Sequence, residues 1–174
     1  MKTSCLSIAF CAALAGCAVI PDTPGPQQSF FDRLHSLCGN AYQGRVVSTD
    51  ATDQEFAASR LVMHVRTCSA NEIRIPFHVG EDHSRSWVIS RNTRGLRLKH
   101  DHRHQDGSED VLTQYGGDTI GEGRAERQEF PADEFTRELL VREGNAAGAA
   151  NVWAMEVGSS ATLAYELRRP GRFF

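Results

Sequence analysis

Turn-forming residues recur about every ten positions from Ala41 onward, and the segments between them are short. Several of these segments alternate apolar and polar side chains, as β-strands do when only one face is buried. This spacing predicts a mainly β domain of antiparallel strands that meander through a barrel or a sandwich. The predicted strands cover residues 41–48, 59–68, 73–79, 86–91, 95–105, 109–115, 122–130, 151–157 and 161–168.

Two helices interrupt this strand pattern. Ser29 is a suitable N-cap for a short amphipathic helix that ends near Gly39. A second helix is predicted over 131–143, before the last hairpin, because Pro131 opens it and Gly144 follows its end. The predicted architecture is therefore a β domain with one helix at its start and one near its end.

The N-terminus has the pattern of a secretory signal. Lys2 precedes an apolar stretch, residues 5–14, that is too short to cross a hydrocarbon core of about 30 Å comfortably. The stretch ends in Leu14-Ala15-Gly16-Cys17, which resembles the lipobox of bacterial lipoproteins. The resemblance implies cleavage before Cys17 and a lipid on its thiol. The alternative is ordinary cleavage after Ala15, with Cys17 unmodified.

This interpretation divides the chain into a signal peptide (1–16), a lipidated tether (17–28) and a single domain (29–174). The prolines of the tether favour an extended chain. In lipoproteins of Gram-negative bacteria, an aspartate after the lipidated cysteine favours retention at the inner membrane, and this chain has Ala18. The resemblance therefore implies a lipid-anchored protein of the cell envelope, at the outer membrane and facing the periplasm.

The charge balance limits the classes of partner. The chain has 19 Lys and Arg residues against 22 Asp and Glu residues, for a formal net charge of −3. Such a chain has no basic surplus to attract nucleic acid or an anionic membrane surface. The expected partners are a membrane, through the N-terminal lipid, and a small-molecule ligand.

The cysteine positions predict one disulfide. Cys5 and Cys11 leave with the signal peptide and Cys17 carries the lipid, so Cys38 and Cys68 remain. Two thiols in an oxidising compartment are a disulfide candidate, and this one would close a loop of about 30 residues. The alternative is a pair of buried free thiols. A C-x-x-C motif is absent, which disfavours redox catalysis.

The pair Asp106-Gly107 predicts a hairpin with a two-residue loop. In that register His104 lies opposite Glu109, and strand alternation places His100 and His102 on the same inward face. Three imidazoles and one carboxylate are a ligand set that catalytic zinc or non-haem iron uses. The alternative is a hairpin tip that is polar because solvent surrounds it, with His104 and Glu109 as a surface pair.

The same hairpin resembles part of the first cupin motif. His102, His104, Glu109 and Gly116 follow the pattern H-x-H-x4-E-x6-G. The resemblance implies a metal-dependent enzyme. The second cupin motif needs a further histidine, however, and none follows His104 in the chain.

A second resemblance concerns the start of the domain. The helix segment 30–34, followed by Gly39-Asn40-Ala41-Tyr42-Gln43-Gly44, is similar to the opening of calycin-type barrels such as lipocalins, with Tyr42 in place of their tryptophan. It implies a barrel that holds a small ligand in its interior. We therefore expect a lipid-anchored module that binds a small ligand. The alternatives are a metal-dependent enzyme that uses the His/Glu cluster, and a structural or assembly protein of the envelope.

Overall fold

The computed structural model describes residues 24–159 and 162–174, so the predicted signal peptide, Cys17 and most of the tether lie outside the described residues. The described chain is mainly β and its paired strands are antiparallel, which confirms the predicted class. The strands are β1 (Ala41–Gly44), β2 (Leu61–His64), β3 (Thr67–Cys68), β4 (Glu72–Val79), β5 (Asp82–Asn92), β6 (Gly95–His102), β7 (Tyr115–Asp118), β8 (Arg127–Pro131), β9 (Val152–Val157), β10 (Leu163–Arg169) and β11 (Arg172–Phe173). The helices are α1 (Pro26–Ser36), α2 (Gln54–Ala58) and α3 (Glu134–Arg142), with 3-10 turns at Ala51–Asp53 and Ala146–Ala150.

Hydrogen bonding divides the described strands into two sheets. The larger sheet has the order β1-β2-β4-β5-β6-β7, with β3 paired to β4, and the smaller sheet has the order β8-β9-β10-β11. Each sheet is therefore a meander of sequence neighbours. Within the described residues the two sheets share no strand ladder, so they do not form a closed, hydrogen-bonded barrel.

The two sheets and α1 enclose one hydrophobic core. Alternate residues of each strand point into it, as the pattern of Ile73, Ile75 and Phe77 along β4 illustrates. The largest fully buried apolar side chains are Trp153, Phe30, Phe31, Phe130, Leu34, Ile73, Ile75, Ile89, Leu98, Leu139 and Met155. Each contributes on the order of 1.5–3 kcal/mol by leaving water, which makes this core the main source of stability.

Helix α1 begins earlier than the sequence pattern predicts. Its N-cap is Gly25 and Pro26 lies in its first turn, so the predicted N-cap Ser29 lies inside the helix. Proline is favoured at this position because the first helical residues have no intrahelical acceptor for an N–H group. The predicted extended tether therefore ends at Gly25 rather than at residue 28.

Helix α3 forms where the sequence predicts a helix, although Pro131 belongs to β8 and the N-cap is Asp133. The Asp133 carboxylate accepts a hydrogen bond from the backbone N–H of Thr136 at 2.9 Å. Helix α2 and strand β11 were not predicted, since both are too short to give a periodic pattern. No helix among the described residues is long and apolar enough to cross a membrane.

The predicted disulfide is confirmed. Cys38 follows α1 and Cys68 lies on β3, and their Cα atoms are 6.3 Å apart. The bond closes a segment with a sequence separation of 30 residues. On a chain-entropy argument, a loop of that size stabilises the fold by roughly 3–4 kcal/mol.

The predicted register of the Asp106-Gly107 hairpin is wrong. Arg103 lies opposite Glu109, and the backbone N–H of His104 donates to the carbonyl of Ser108. The loop therefore has three residues, with Gly107 at a φ of +85°. A glycine in this left-handed conformation is typical of a three-residue hairpin loop. The extra residue shifts the pairing by one position, and a shift of one position moves Glu109 to the opposite face of the hairpin.

Candidate functional site

A cavity of about 500 Å³ lies where β4, β5 and β6 of the larger sheet face β9 and β10 of the smaller sheet. Its rim includes α2, the C-terminal strand β11 and the segment after the hairpin, which contributes Asp110 and Leu112. A volume of this size is within the range of small-molecule sites. Aromatic side chains form a large part of the wall: Phe56, Phe77, Trp87, Tyr115, Trp153, Tyr165 and Phe174.

Three of these rings form a continuous stack that joins the two sheets. The Trp87 ring lies between Phe77, at a centroid distance of 4.7 Å, and Tyr165, at 4.3 Å. Both contacts have an interplanar angle of 16°. Parallel rings at these distances pack favourably, and the stack places apolar ring atoms from both sheets in the cavity wall.

His100 connects the two sheets next to this stack, since it is the strand partner of Trp87 and contacts Tyr165. Its Nδ1 lies 3.1 Å from the carbonyl oxygen of Tyr115, and its Nε2 lies 2.8 Å from the Tyr165 hydroxyl. A carbonyl can only accept, so Nδ1 carries the proton and Nε2 accepts from Tyr165. Burial lowers the pKa of His100 to about 3. His100 is therefore a neutral side chain whose two nitrogens both have partners within the protein.

His102 and Tyr115 form a second polar pair, closer to the rim. The Tyr115 hydroxyl lies 3.2 Å from Nε2 of His102. Burial raises the pKa of Tyr115 to about 12, and burial together with the nearby Arg85 guanidinium lowers the pKa of His102. Both groups are therefore neutral near pH 7, and they present hydrogen-bonding atoms without charge.

The other two residues of the predicted metal site lie outside the cavity. His104 is exposed at the hairpin tip. Glu109 is exposed as well, and its carboxylate accepts from Arg103 at 3.1 Å and from the Gln114 amide at 3.1 Å. The predicted contact between His104 and Glu109 is wrong because of the register shift described above.

The four predicted ligands therefore do not come together. His100 and His102 share the cavity wall with ring centroids 6.5 Å apart, and Nε2 of His100 is already hydrogen-bonded to Tyr165. In the described part of the chain, no group of three or more His, Cys, Asp or Glu side chains could hold a metal ion. The arrangement that zinc or iron would need is not formed by these residues.

One pattern in the sequence marks the position of this cavity. Residues two apart on a strand share a face. Arg85 shares a face with Trp87 on β5, His102 with His100 on β6, and Arg169 with Leu167 on β10. On each of these strands, the side that faces inward is apolar along most of its length and polar at one end. Polar side chains that face inward indicate an opening in the core.

Comparisons with known proteins return no relatives: no family model matches the chain, and no curated protein or solved structure matches it. The cavity and the N-terminal segment are therefore the two features from which a function can be inferred.

Proposed function

We propose that this protein is a lipid-anchored envelope module that binds a small, flat, largely apolar ligand in the cavity between its sheets. The observation that carries the proposal is the aromatic cavity of about 500 Å³. Pockets for small molecules are concave and mostly apolar, with a few polar groups that orient the ligand. The stack of Phe77, Trp87 and Tyr165 supplies aromatic ring atoms from both sheets, which suit a flat aromatic ligand.

Binding fits the polar groups of the wall better than catalysis does. His100 and Tyr165 hydrogen-bond to each other, and the pKa of Tyr165 is raised well above its usual value by burial. A general base needs a pKa near the working pH and a free lone pair. His100 has neither, so these residues serve to hold the wall in place.

For the fold, we propose more specifically a calycin-like barrel. Two features support it: strands follow one another as meanders within both sheets, and the cavity lies in the interior between them. Barrels of this type hold ligands in their interior. We propose that the two sheets are the halves of one such barrel, open along the seams between them.

The anchor is proposed on the sequence Leu14-Ala15-Gly16-Cys17. Lipid on Cys17 would hold the described domain close to the membrane surface, because only residues 18–25 separate Cys17 from α1. Ala18 after the cysteine favours the outer membrane, with the domain in the periplasm. The confirmed disulfide between Cys38 and Cys68 supports an oxidising compartment of this kind.

The binding proposal is tested with 2-naphthylmethanol, a neutral flat probe. The full chain is placed in lipid nanodiscs, empty nanodiscs serve as the blank, and the heat of binding is followed by calorimetry during titration. For a probe of this size we expect saturable binding with a Kd on the order of 100 µM. Absence of a saturable binding heat up to about 1 mM, ten times that value, would overturn the proposal.

A matched pair of variants locates the binding. Phe56 lies at the cavity rim, half-buried, whereas Phe135 is 51% exposed on α3 and outside the cavity. Loss of one aromatic contact is worth about 0.5–1.5 kcal/mol. We therefore expect Phe56→Leu to weaken binding by roughly 2- to 12-fold and Phe135→Leu to leave it unchanged. Equal effects of the two substitutions would place the probe outside the cavity.

A further inference from the structure

Three arginines lie in the cavity wall: Arg85, Arg169 and Arg172. Arg85 donates from Nη2 to the Asp82 carboxylate at 2.6 Å, and Arg172 donates from Nη2 to Asp53 at 2.5 Å. The Nε atoms of Arg85 and Arg172 are buried and have no hydrogen-bond acceptor. The wall around Arg85 and Arg172 thus contains buried N–H donors that have no acceptor.

Arg169 differs from the other two in its partner. Its Nη1 donates to the side-chain oxygen of Asn151 at 3.1 Å, which is a neutral acceptor. Among the described residues no carboxylate lies within ion-pair distance of Arg169, although the residue is half-buried. Its positive charge is therefore not neutralised by a direct ion pair.

The two carboxylates of the wall do not pair with Arg169. Asp53 already accepts from Arg172 on one oxygen and from the Ser48 hydroxyl, at 2.6 Å, on the other. Asp110 lies on the hairpin side of the cavity and accepts from the backbone N–H of Leu112 at 2.9 Å. Arg85 and Arg172 are thus paired with Asp82 and Asp53. The carboxylate of Asp50, whose pKa is lowered by hydrogen bonds from Thr52 and more weakly by the Arg169 charge, lies beyond ion-pair distance of Arg169.

We propose that the ligand carries an anionic group, a carboxylate or a phosphate, which Arg169 binds while the flat part of the ligand lies against the aromatic wall. This inference rests on the proposed function. A guanidinium offers paired donors that match the two oxygens of a carboxylate or phosphate, and such charge-assisted hydrogen bonds are about twice as strong as neutral ones. The partial burial of Arg169 reduces screening by water and strengthens the attraction.

The test compares ligands that share one ring system. The full chain in nanodiscs is titrated with 2-naphthoate, 2-naphthyl phosphate and the neutral 2-naphthylmethanol. We expect at least one anion to bind about tenfold more tightly than the alcohol, and the stronger of the two identifies the acid. The preference should weaken as salt is added, because Arg169 is only half-buried and its charge is still partly screened.

Two arginine-to-glutamine substitutions, which remove the same charge at different places, distinguish binding at Arg169 from a general effect of surface charge. Arg169→Gln removes the proposed anion contact, and we expect it to abolish the anion preference while the affinity for the alcohol stays within about twofold. Arg142→Gln makes the same change on α3, at a side chain that is 62% exposed, and should leave all three affinities unchanged. Arg169→Lys keeps the charge without the planar fork and should retain part of the preference.

Each result decides one of the two proposals. If the alcohol binds but the anions bind no better, or if Arg169→Gln leaves their preference intact, the inference about the anion is overturned and the binding function stands. If the alcohol does not bind, the binding function is overturned, and the anion proposal, which rests on it, fails with it. The anion proposal is supported when the preference exists and disappears with Arg169→Gln but not with Arg142→Gln.

Discussion

The imidazole of His100 is surrounded by aromatic rings on both sheets. Its ring centroid lies 4.4 Å from that of Tyr115, 5.2 Å from that of Trp153 and 5.9 Å from that of Tyr165. An enclosed imidazole is tolerated because both of its nitrogens are hydrogen-bonded in the neutral form. Protonation would place a charge in this apolar setting and would break the bond from the Tyr165 hydroxyl.

His100 makes the stability of the fold depend on pH. Its pKa is about 3 in the folded chain and 6.5 in the unfolded chain, so below pH 6.5 the unfolded chain binds the proton first. We expect the His100 contribution to be constant above pH 6.5 and to fall by about 1.4 kcal/mol per pH unit down to pH 3, roughly 4–5 kcal/mol in all. Urea unfolding at a series of pH values measures this loss.

Comparing the same substitution at His100 and at His104 isolates the contribution of His100 to the pH dependence of stability. His100→Gln removes the titrating group, so its unfolding free energy should fall less steeply with acid than that of the wild type. His104→Gln changes an exposed residue of the hairpin tip and should follow the wild-type profile. Parallel pH profiles for wild type and His100→Gln would show that His100 does not resist protonation in the fold.

At the scale of elements, β7 is the strand that brings the two sheets together. A Cβ atom on Gly117 would lie 1.8 Å from the carbonyl oxygen of Pro131 on β8. The neighbouring Gly116 accepts at its carbonyl from Asp133 N–H at 3.0 Å and from the Thr136 hydroxyl at 2.8 Å. Backbone atoms of the two sheets thus approach each other directly, and this approach requires glycine.

We therefore expect Gly117→Ala to destabilise the protein by about 3 kcal/mol, because the methyl group meets backbone atoms that cannot move without separating β7 from β8. Gly44→Ala on β1 is the matched control. A Cβ atom there would meet Leu61 at 3.9 Å, an ordinary contact, and the cost should stay within about 0.5 kcal/mol. Urea unfolding with the disulfide intact compares the two, and equal costs would contradict the steric argument.

The hairpin after β6 shows why elements are easier to predict than their pairing. Alternation correctly indicated that Leu96, Leu98 and His100 point inward, since a strand pattern repeats over several residues. The register depends on the loop alone, and Asp106-Gly107 is compatible with a two-residue or a three-residue loop. One added residue moved Glu109 away from the histidines, so the predicted metal site was lost through a local feature that periodicity does not encode.

At the scale of the molecule, the class of fold could be predicted because alternation repeats along each strand. The disulfide could be predicted because only two cysteines lie in the predicted domain. The cavity could not, since Trp87, His100 and Tyr165 lie on three strands of two sheets. Trp87 and Trp153 are buried in the core, and the same two side chains also line the cavity. The distinction requires knowing which strands face each other.

The location of the whole molecule depends on Cys17, which lies outside the described residues. One acyl chain gives only reversible membrane binding, with about 0.8 kcal/mol from each buried CH₂ group, so a diacylglyceryl group on Cys17 would be needed to hold the domain at the membrane. Growth of a bacterial host with an alkyne-labelled fatty acid detects the modification. We expect label on the wild type and on Cys11→Ser, which removes a cysteine of the predicted signal peptide, but none on Cys17→Ser. Label that persists on Cys17→Ser, or an unlabelled wild type, would show that the chain is not anchored at this residue. Either result would favour the alternative, ordinary cleavage of a signal peptide after Ala15.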